Sequence, residues 1–463
     1  MGLQTLPGCK MGILTAINTK KDMTDLLSKA FGFVPGTHKI RTELIAGFST
    51  FLTMAYILAV NPMIFSALPD MPKGAVFTAT ALAAVVSTLV MAFYAKKPFA
   101  LAPGMGLNAF FVYTVCISMH QTWQFALTAV LIEGIIFIIL SATKVRTMIV
   151  NSIPVSLKNA IGAGIGLFIA FIGLQGSQIV VDSPSTLVTI GDISQGPALL
   201  AIIGIAITAV LLILKVRGGI LLGILGTTLI GLFIKDPATG EAVTKFSGSL
   251  VSYPESISPI FCKFDWNSIF SFNMLIIVFT FLFNDIFNTI GTVIGVSHKA
   301  GFVDKEGNID GIDKIFMADA IGTVFGAFVG TSTTTTYVES AAGVGDGGRT
   351  GLTAFFTALF FAVAMLFSGI FLAVPAAATA PALILVGMMM MEPIVGIDWK
   401  NFREAIPAFI TIVIMICTYS IADGILIGSI AYVLVNALTG KAREISLTMW
   451  ILFVLFVLKY IFI

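Results

Sequence analysis

The chain has 463 residues, 57% of them hydrophobic and only 11% charged, with a mean hydropathy of +1.01. Soluble domains carry about 25% charged residues, so this composition excludes an ordinary water-soluble globule and points to a lipid bilayer as the solvent. A formal net charge of +2 leaves no electrostatic footprint for nucleic acid or for a strongly acidic partner.

Residues 1–39 carry Lys10, Lys20, Lys21, Lys29 and Lys39 without a sustained apolar stretch before a small-residue cleavage site. They predict a cytoplasmic lead-in rather than a cleaved signal. Apolar runs then fall near 42–65, 75–95, 100–118, 122–142, 155–175, 196–214 and 218–234. A polar loop over 236–268 separates them from runs near 270–297, 315–330, 331–345, 350–373, 375–393, 405–420 and 423–439. Such runs are long enough to cross roughly 30 Å of hydrocarbon as helix. The last stretch, 442–463, is apolar again and is a candidate extra span.

Basic residues alternate along this series: Lys96 and Lys97, then Lys144, Arg146 and Lys158, Lys215 and Arg217, Lys299, Lys305 and Lys314, Arg349, Lys400 and Arg403, Lys441 and Arg443. Short cytoplasmic loops are enriched in Lys and Arg. The alternation predicts fourteen spans of a multi-pass plasma (inner) membrane protein with both flanks cytoplasmic. Cys9, Cys116, Cys262 and Cys417 form no CxxC pair, and His38, His120 and His298 share no ligand spacing. No metal and no cofactor beyond a coupling proton is expected.

Two short echoes bind the halves. Gly219-Ile-Leu-Leu-Gly223 follows the sixth run as Gly424-Ile-Leu-Ile-Gly428 follows the thirteenth. Ser49-Thr-Phe-Leu52 in the first run parallels Phe279-Thr-Phe-Leu282 in the eighth. Seven spans followed by seven make an inverted repeat, a transporter plan whose site lies at the midplane between interrupted helices. The third run opens Ala102-Pro-Gly-Met-Gly-Leu-Asn108, and Pro103, Gly104 and Gly106 oppose a continuous helix. The tenth opens Gly330-Thr-Ser-Thr-Thr-Thr-Thr-Tyr337, whose β-branched residues favour extended backbone. Each is expected to be a short strand followed by a half-helix, with Asn108 and Glu339 near the half-helix N-termini.

Glu339 and Asp285 are carboxylates inside apolar runs. A charge at mid-bilayer costs at least about 2.5 kcal/mol, so it faces the bundle interior and marks an ion or proton pathway. Both are proton-coupling candidates. Asp285, Asn288 and Thr292 share one helix face. Glu43, close behind Arg41, reads as a local ion pair or a helix N-terminal charge, and Asp319 carries no clear role.

At these residues the sequence resembles the adenine/guanine/hypoxanthine (AzgA-like) permeases of the nucleobase–ascorbate transporter superfamily. The similarity runs from about Phe31 to Lys441. It is densest at Arg41-Thr-Glu-Leu-Ile-Ala-Gly-Phe-Ser-Thr-Phe-Leu-Thr-Met-Ala-Tyr56, at PGMGLNAFF over 103–111, at GTSTTTTYVESAAG over 330–343 and at GGRTGLTA over 347–354. The resemblance implies an all-α, seven-plus-seven inverted repeat in two domains. Its core would comprise 40–145 and 269–373 and its gate 146–235 and 374–441, with 236–268 extracytoplasmic. A purine base would bind between core and gate and enter with protons. The family's polar residue of the third span maps onto Asn108, and its carboxylate of the tenth onto Glu339, beside Tyr337 and the Val338 backbone. One departure stands out. Where the family shows Asp-x-Phe-Asp-x-x-Gly-Thr, this chain reads Asp285-Ile-Phe-Asn288-Thr-Ile-Gly291-Thr292. The amide can donate and accept hydrogen bonds but cannot exchange a proton.

The expected site therefore has Glu339 accepting from ring N–H groups, with Asn288 and Asn108 on the remaining edge atoms. Phe110 or Tyr337 flanks the ring, Val338 and Ser340 stand beside it, and Ala109, Thr292 and Thr336 support it. The same fold could carry xanthine, uracil or a small anion. A channel and a membrane-embedded enzyme are the readings of other classes, and the apolar runs hold no nucleophile–base pair or HExxH metal motif. By analogy with related transporters a homodimer is expected.

Overall fold

The computed structural model of the chain describes residues 24–142, 154–245, 251–303 and 309–462. The lead-in before residue 24, and Lys144, Arg146 and Lys305 among the basic residues, lie outside them. In lipid the backbone must satisfy itself, and helices do so within one segment. The apolar runs accordingly become helices. The first run is two of them, α1 (Ile40–Met54) and α2 (Ile57–Phe65), followed by α3 (Lys73–Val90), which runs on through a π-turn at Met91–Ala95. The third is β1 (Leu101–Pro103), then α4 (Met105–Ala109) continued as π-helix over Phe110–Ser118. There follow α5 (Trp123–Ala142), α6 (Val155–Gly176), α7 (Gly196–Ile213) and α8 (Gly219–Ile230). A hairpin unforeseen in the sequence, β2 (Val180–Ser183) with β3 (Leu187–Ile190), joins α6 to α7.

The second half repeats the order. Helices α9 (Phe272–Ala300) and α10 (Ile312–Val329) precede β4 (Thr334–Thr336) and the short α11 (Ser340–Gly345). Then come α12 (Gly351–Ala364), α13 (Ser368–Leu372), α14 (Ala376–Met390), α15 (Phe402–Cys417) and α16 (Ile421–Leu438). Nine of the described crossings are long and apolar enough to span a membrane by length and composition alone. The other five are the two broken crossings, the short α8 and α15, and α10, which carries Asp313, Lys314 and Asp319. The apolar tail forms α17 (Leu447–Phe462), about 24 Å long at 1.5 Å per residue. It packs on α16, and Phe456 meets Phe279 of α9.

The two broken crossings meet. β1 and β4 pair antiparallel, with Leu101 opposite Thr336, Ala102 opposite Thr335 and Pro103 opposite Thr334. A two-stranded sheet at membrane depth has two open edges, which lipid cannot satisfy. Side chains of flanking helices close them. Thr88 of α3 exchanges bonds with Leu101, donating to its carbonyl at 3.1 Å and accepting from its N–H at 3.0 Å. Thr323 of α10 donates to the Thr334 carbonyl at 2.8 Å.

Packing sorts the helices into a core and a gate. α10 packs against α3 and α5, while α12 packs against α1 and α3. In the gate, α14 packs on α6, α7 and α8, and α15 on α6 and α16. Two contacts tie the bodies together at ends of the molecule that alternate crossings place on opposite faces. Arg217, between α7 and α8, pairs with Asp346, which follows α11, at 2.5 Å. Tyr113 of the third crossing meets Tyr419, between α15 and α16, at 5.7 Å between ring centroids. Glu43 does not serve as a local partner of Arg41. Its carboxylate accepts from the N–H groups of Arg349 and Thr350 and from the Thr353 hydroxyl, capping α12 from the side.

Candidate functional site: a cavity between the broken crossings and the gate

A small cavity lies where the strand pair faces α14. The β4–α11 junction supplies Thr335, Thr336, Tyr337, Val338 and Glu339, and the turn into α4 supplies Gly104, Met105 and Gly106. Asn288 and Thr292 come from α9, Tyr56 from the break between α1 and α2, and Val386 and Met390 from α14. The polar groups thus all come from the core side, which also contributes Met105 and Val338, while the gate side is apolar. Among the described residues lining the cavity, none is cationic.

Glu339 sits at the N-cap of α11. The Tyr56 hydroxyl donates to its Oε1 at 2.6 Å. Tyr337, which lines the cavity, donates its hydroxyl to the Pro103 carbonyl at 2.5 Å and so staples the two broken crossings together. Gly104 is required by close approach, because a Cβ there would stand 2.7 Å from Thr335 Cγ2.

Of the residues expected from sequence, the structure gathers Asn288, Thr292, Thr336, Tyr337, Val338 and Glu339 around one space. Asn108, Ala109, Phe110 and Ser340 stand off its wall. Asn108 is fully buried, lies roughly 200° around the helix from Gly106, and accepts from the Ser332 hydroxyl. Phe110 packs edge-on against Phe281 at 4.8 Å. Ser340 accepts from the Ala100 N–H at 3.0 Å. Asp285 also lies outside the cavity, buried behind the strands with Glu133 of α5 and Asp319 of α10. Thr289 donates to Asp319 at 2.8 Å and lies 2.8 Å from Thr335 Oγ1. A hydrogen-bonded chain through Thr335 and Thr289 thus links the cavity wall to Asp319. Thr333 donates to Glu133 at 3.2 Å. Tyr56, Met105, Thr335, Val386 and Met390 of the lining, and Glu133 behind the strands, are residues that sequence reasoning passed over. Glu133 carried a readable signal, a lone acid in an apolar run.

Charge at the periphery behaves differently. Asp310, in the loop before α10, bonds Lys97 at 2.9 Å, and the ammonium holds its carboxyl below the usual range.

A strand-interrupted inverted repeat with a polar core wall facing an apolar gate wall defines a multi-pass membrane transporter. The solved structures of SLC26A9 and of the transmembrane domain of the cyanobacterial bicarbonate transporter BicA share this fold. The first has a TM-score of 0.63 at 13% identity, covering 91% of this chain and 70% of its own. The second has a TM-score of 0.59 at 15% identity, covering 85% and 97%. The sequence profile of the Permease family that includes xanthine/uracil permeases matches residues 41–427. The guanine/hypoxanthine permease PbuG of Bacillus subtilis is 45% identical over 91% of this chain and 96% of its own length. The adenine permease AdeQ of Escherichia coli is 39% identical over 95% and 99%. The chain belongs to this family, among its adenine/guanine/hypoxanthine permeases.

Proposed function

We propose that the protein imports purine nucleobases (adenine, guanine or hypoxanthine) by proton symport, with the core moving against the gate. The observation that carries the reading is Glu339. A carboxylate at the half-helix start opens onto a small cavity, opposite apolar Val386 and Met390. A purine has apolar faces and a polar edge, and such a ligand suits a site of this kind. The names of the relatives support the substrate class. In this reading Glu339 accepts from ring N–H groups, Asn288 pairs with the rest of the edge, and the gate side chains cover a face. Leaving one of these buried groups unpaired is costly, which favours bases of matching edge pattern.

Proton coupling requires a group that gains and loses a proton during the cycle. Loss of hydration disfavours the charged form of a buried carboxyl unless a partner stabilises it. Glu339 at the cavity, and Asp285 with its neighbours behind the strands, are the groups placed for this. The core is assigned to 40–145 and 269–373 and the gate to 146–235 and 374–441, with the N-terminus cytoplasmic in the plasma membrane. The test is uptake of radiolabelled adenine, guanine, hypoxanthine and uracil in cells lacking their own permeases, with and without a protonophore. Saturable purine uptake that the protonophore removes is expected. A flux linear in substrate would instead favour a channel, and absence of purine uptake by well-expressed protein would overturn the reading.

A further inference from the structure

We infer that Tyr56 is a positioning residue of the site: its hydroxyl fixes the Glu339 carboxylate in the orientation that receives the substrate. The inference rests on the purine-binding reading of the cavity. The first crossing is interrupted at Ala55 and Tyr56, between α1 and α2, with no glycine or proline at the interruption itself. The Tyr56 side chain is buried there, 1% exposed. Tyr56 lines the cavity, and its hydroxyl donates to Glu339 Oε1 at 2.6 Å. Thr53, three residues earlier, donates back to the Ser49 and Thr50 carbonyls at 2.9 Å, with the Glu339 carbonyl farther off at 3.4 Å.

Glu339 otherwise stands at the start of a six-residue helix, α11, and a glutamate side chain has three rotatable bonds. A phenol ring buried in the core has only two. Hydrogen bonds to charged groups are the stronger ones, so this contact selects one carboxylate rotamer. Preorganising an acceptor in this way lowers the ordering cost of binding. The phenol oxygen keeps lone pairs free and offers a second acceptor beside the carboxylate. A ligand edge with adjacent N–H groups is the chemistry that matches the pair.

The experiment is equilibrium binding of labelled hypoxanthine to purified protein, comparing wild type with Tyr56→Phe and Tyr56→Ala, alongside thermal melting of each. Tyr56→Phe keeps the ring and removes the hydroxyl. It is expected to raise Kd about tenfold, equivalent to about 1.4 kcal/mol, with unchanged melting. Tyr56→Ala is expected to weaken binding at least as much and to lower melting as well. A purely structural tyrosine would give a Phe variant with wild-type Kd, and that result, with wild-type protein binding purine, overturns the inference alone. Wild-type protein that binds no purine overturns the reading beneath it together with the inference.

Discussion

At Asn288 an amide faces the cavity where the family pattern carries a second acid, and its Nδ2 approaches Thr335 Oγ1 at 3.5 Å. An amide donates at every pH, whereas a carboxyl donates only when protonated. Asn288→Asp is therefore expected to give purine uptake that falls at alkaline pH, by roughly tenfold for one hydrogen bond lost to charge, while wild type stays flatter across the same range. Identical pH profiles and identical ranking of purines would reduce Asn288 to a structural part of α9. The acids Glu339 and Asp285 were legible in sequence because a charge inside an apolar run has few structural uses. Tyr56 was not, since a tyrosine near a membrane helix is ordinary until the partner of its hydroxyl is known. The direction of Asn108 was not legible for a related reason. Sequence shows that a polar residue lies in a broken helix, while its direction depends on which neighbour, here Ser332, completes its hydrogen bonds.

The interrupted third and tenth crossings were legible as elements. Pro103, Gly104 and Gly106 weaken one helix, and the threonines before Tyr337 weaken the other. Their pairing, and the use of Thr88 and Thr323 to close the outer edges, were not. Threonines are common in membrane helices, and only the approach of a strand distinguishes these two. Gly104 marks how close that approach is. Gly104→Val would drive a branched side chain into Thr335, an overpacking cost of about 1–3 kcal/mol. The variant is expected to melt several degrees lower in detergent and to lose purine uptake. A Gly104→Val variant with wild-type melting and uptake would mean that the strand pair is looser than drawn. The hairpin of β2 and β3 escaped the sequence reading because its strands are four residues each and sit in a short connection between two apolar runs.

Across the whole molecule, composition and the alternation of basic loops were enough to read fourteen crossings, and the repeat followed from their order. The contacts between core and gate were beyond reach, because they join residues far apart in sequence whose meeting depends on the docking of two bodies. The Arg217–Asp346 pair illustrates what such a contact is worth. The arginine side chain is 60% exposed, so the pair adds no more than about 1 kcal/mol to stability, and Ser49 donates to the same aspartate at 2.5 Å. The pair lies between the two bodies, so the proposed motion of core against gate is expected to change it. Arg217→Asp is expected to lower uptake several-fold with little change in melting, and the exchange of both charges, Arg217→Asp with Asp346→Arg, to recover part of it. Equal uptake in all three proteins would show that the contact is not made or broken during the cycle.

The central claim, a carrier that moves purines with protons through Glu339, is tested most directly in proteoliposomes of the purified protein. Hypoxanthine uptake is followed under an imposed pH gradient, inside alkaline, for wild type and Glu339→Gln. Wild type is predicted to accumulate hypoxanthine above equilibrium until a protonophore collapses the gradient, and Glu339→Gln to show no accumulation. Accumulation indifferent to the gradient, or a Glu339→Gln protein that concentrates the base as wild type does, would contradict the account.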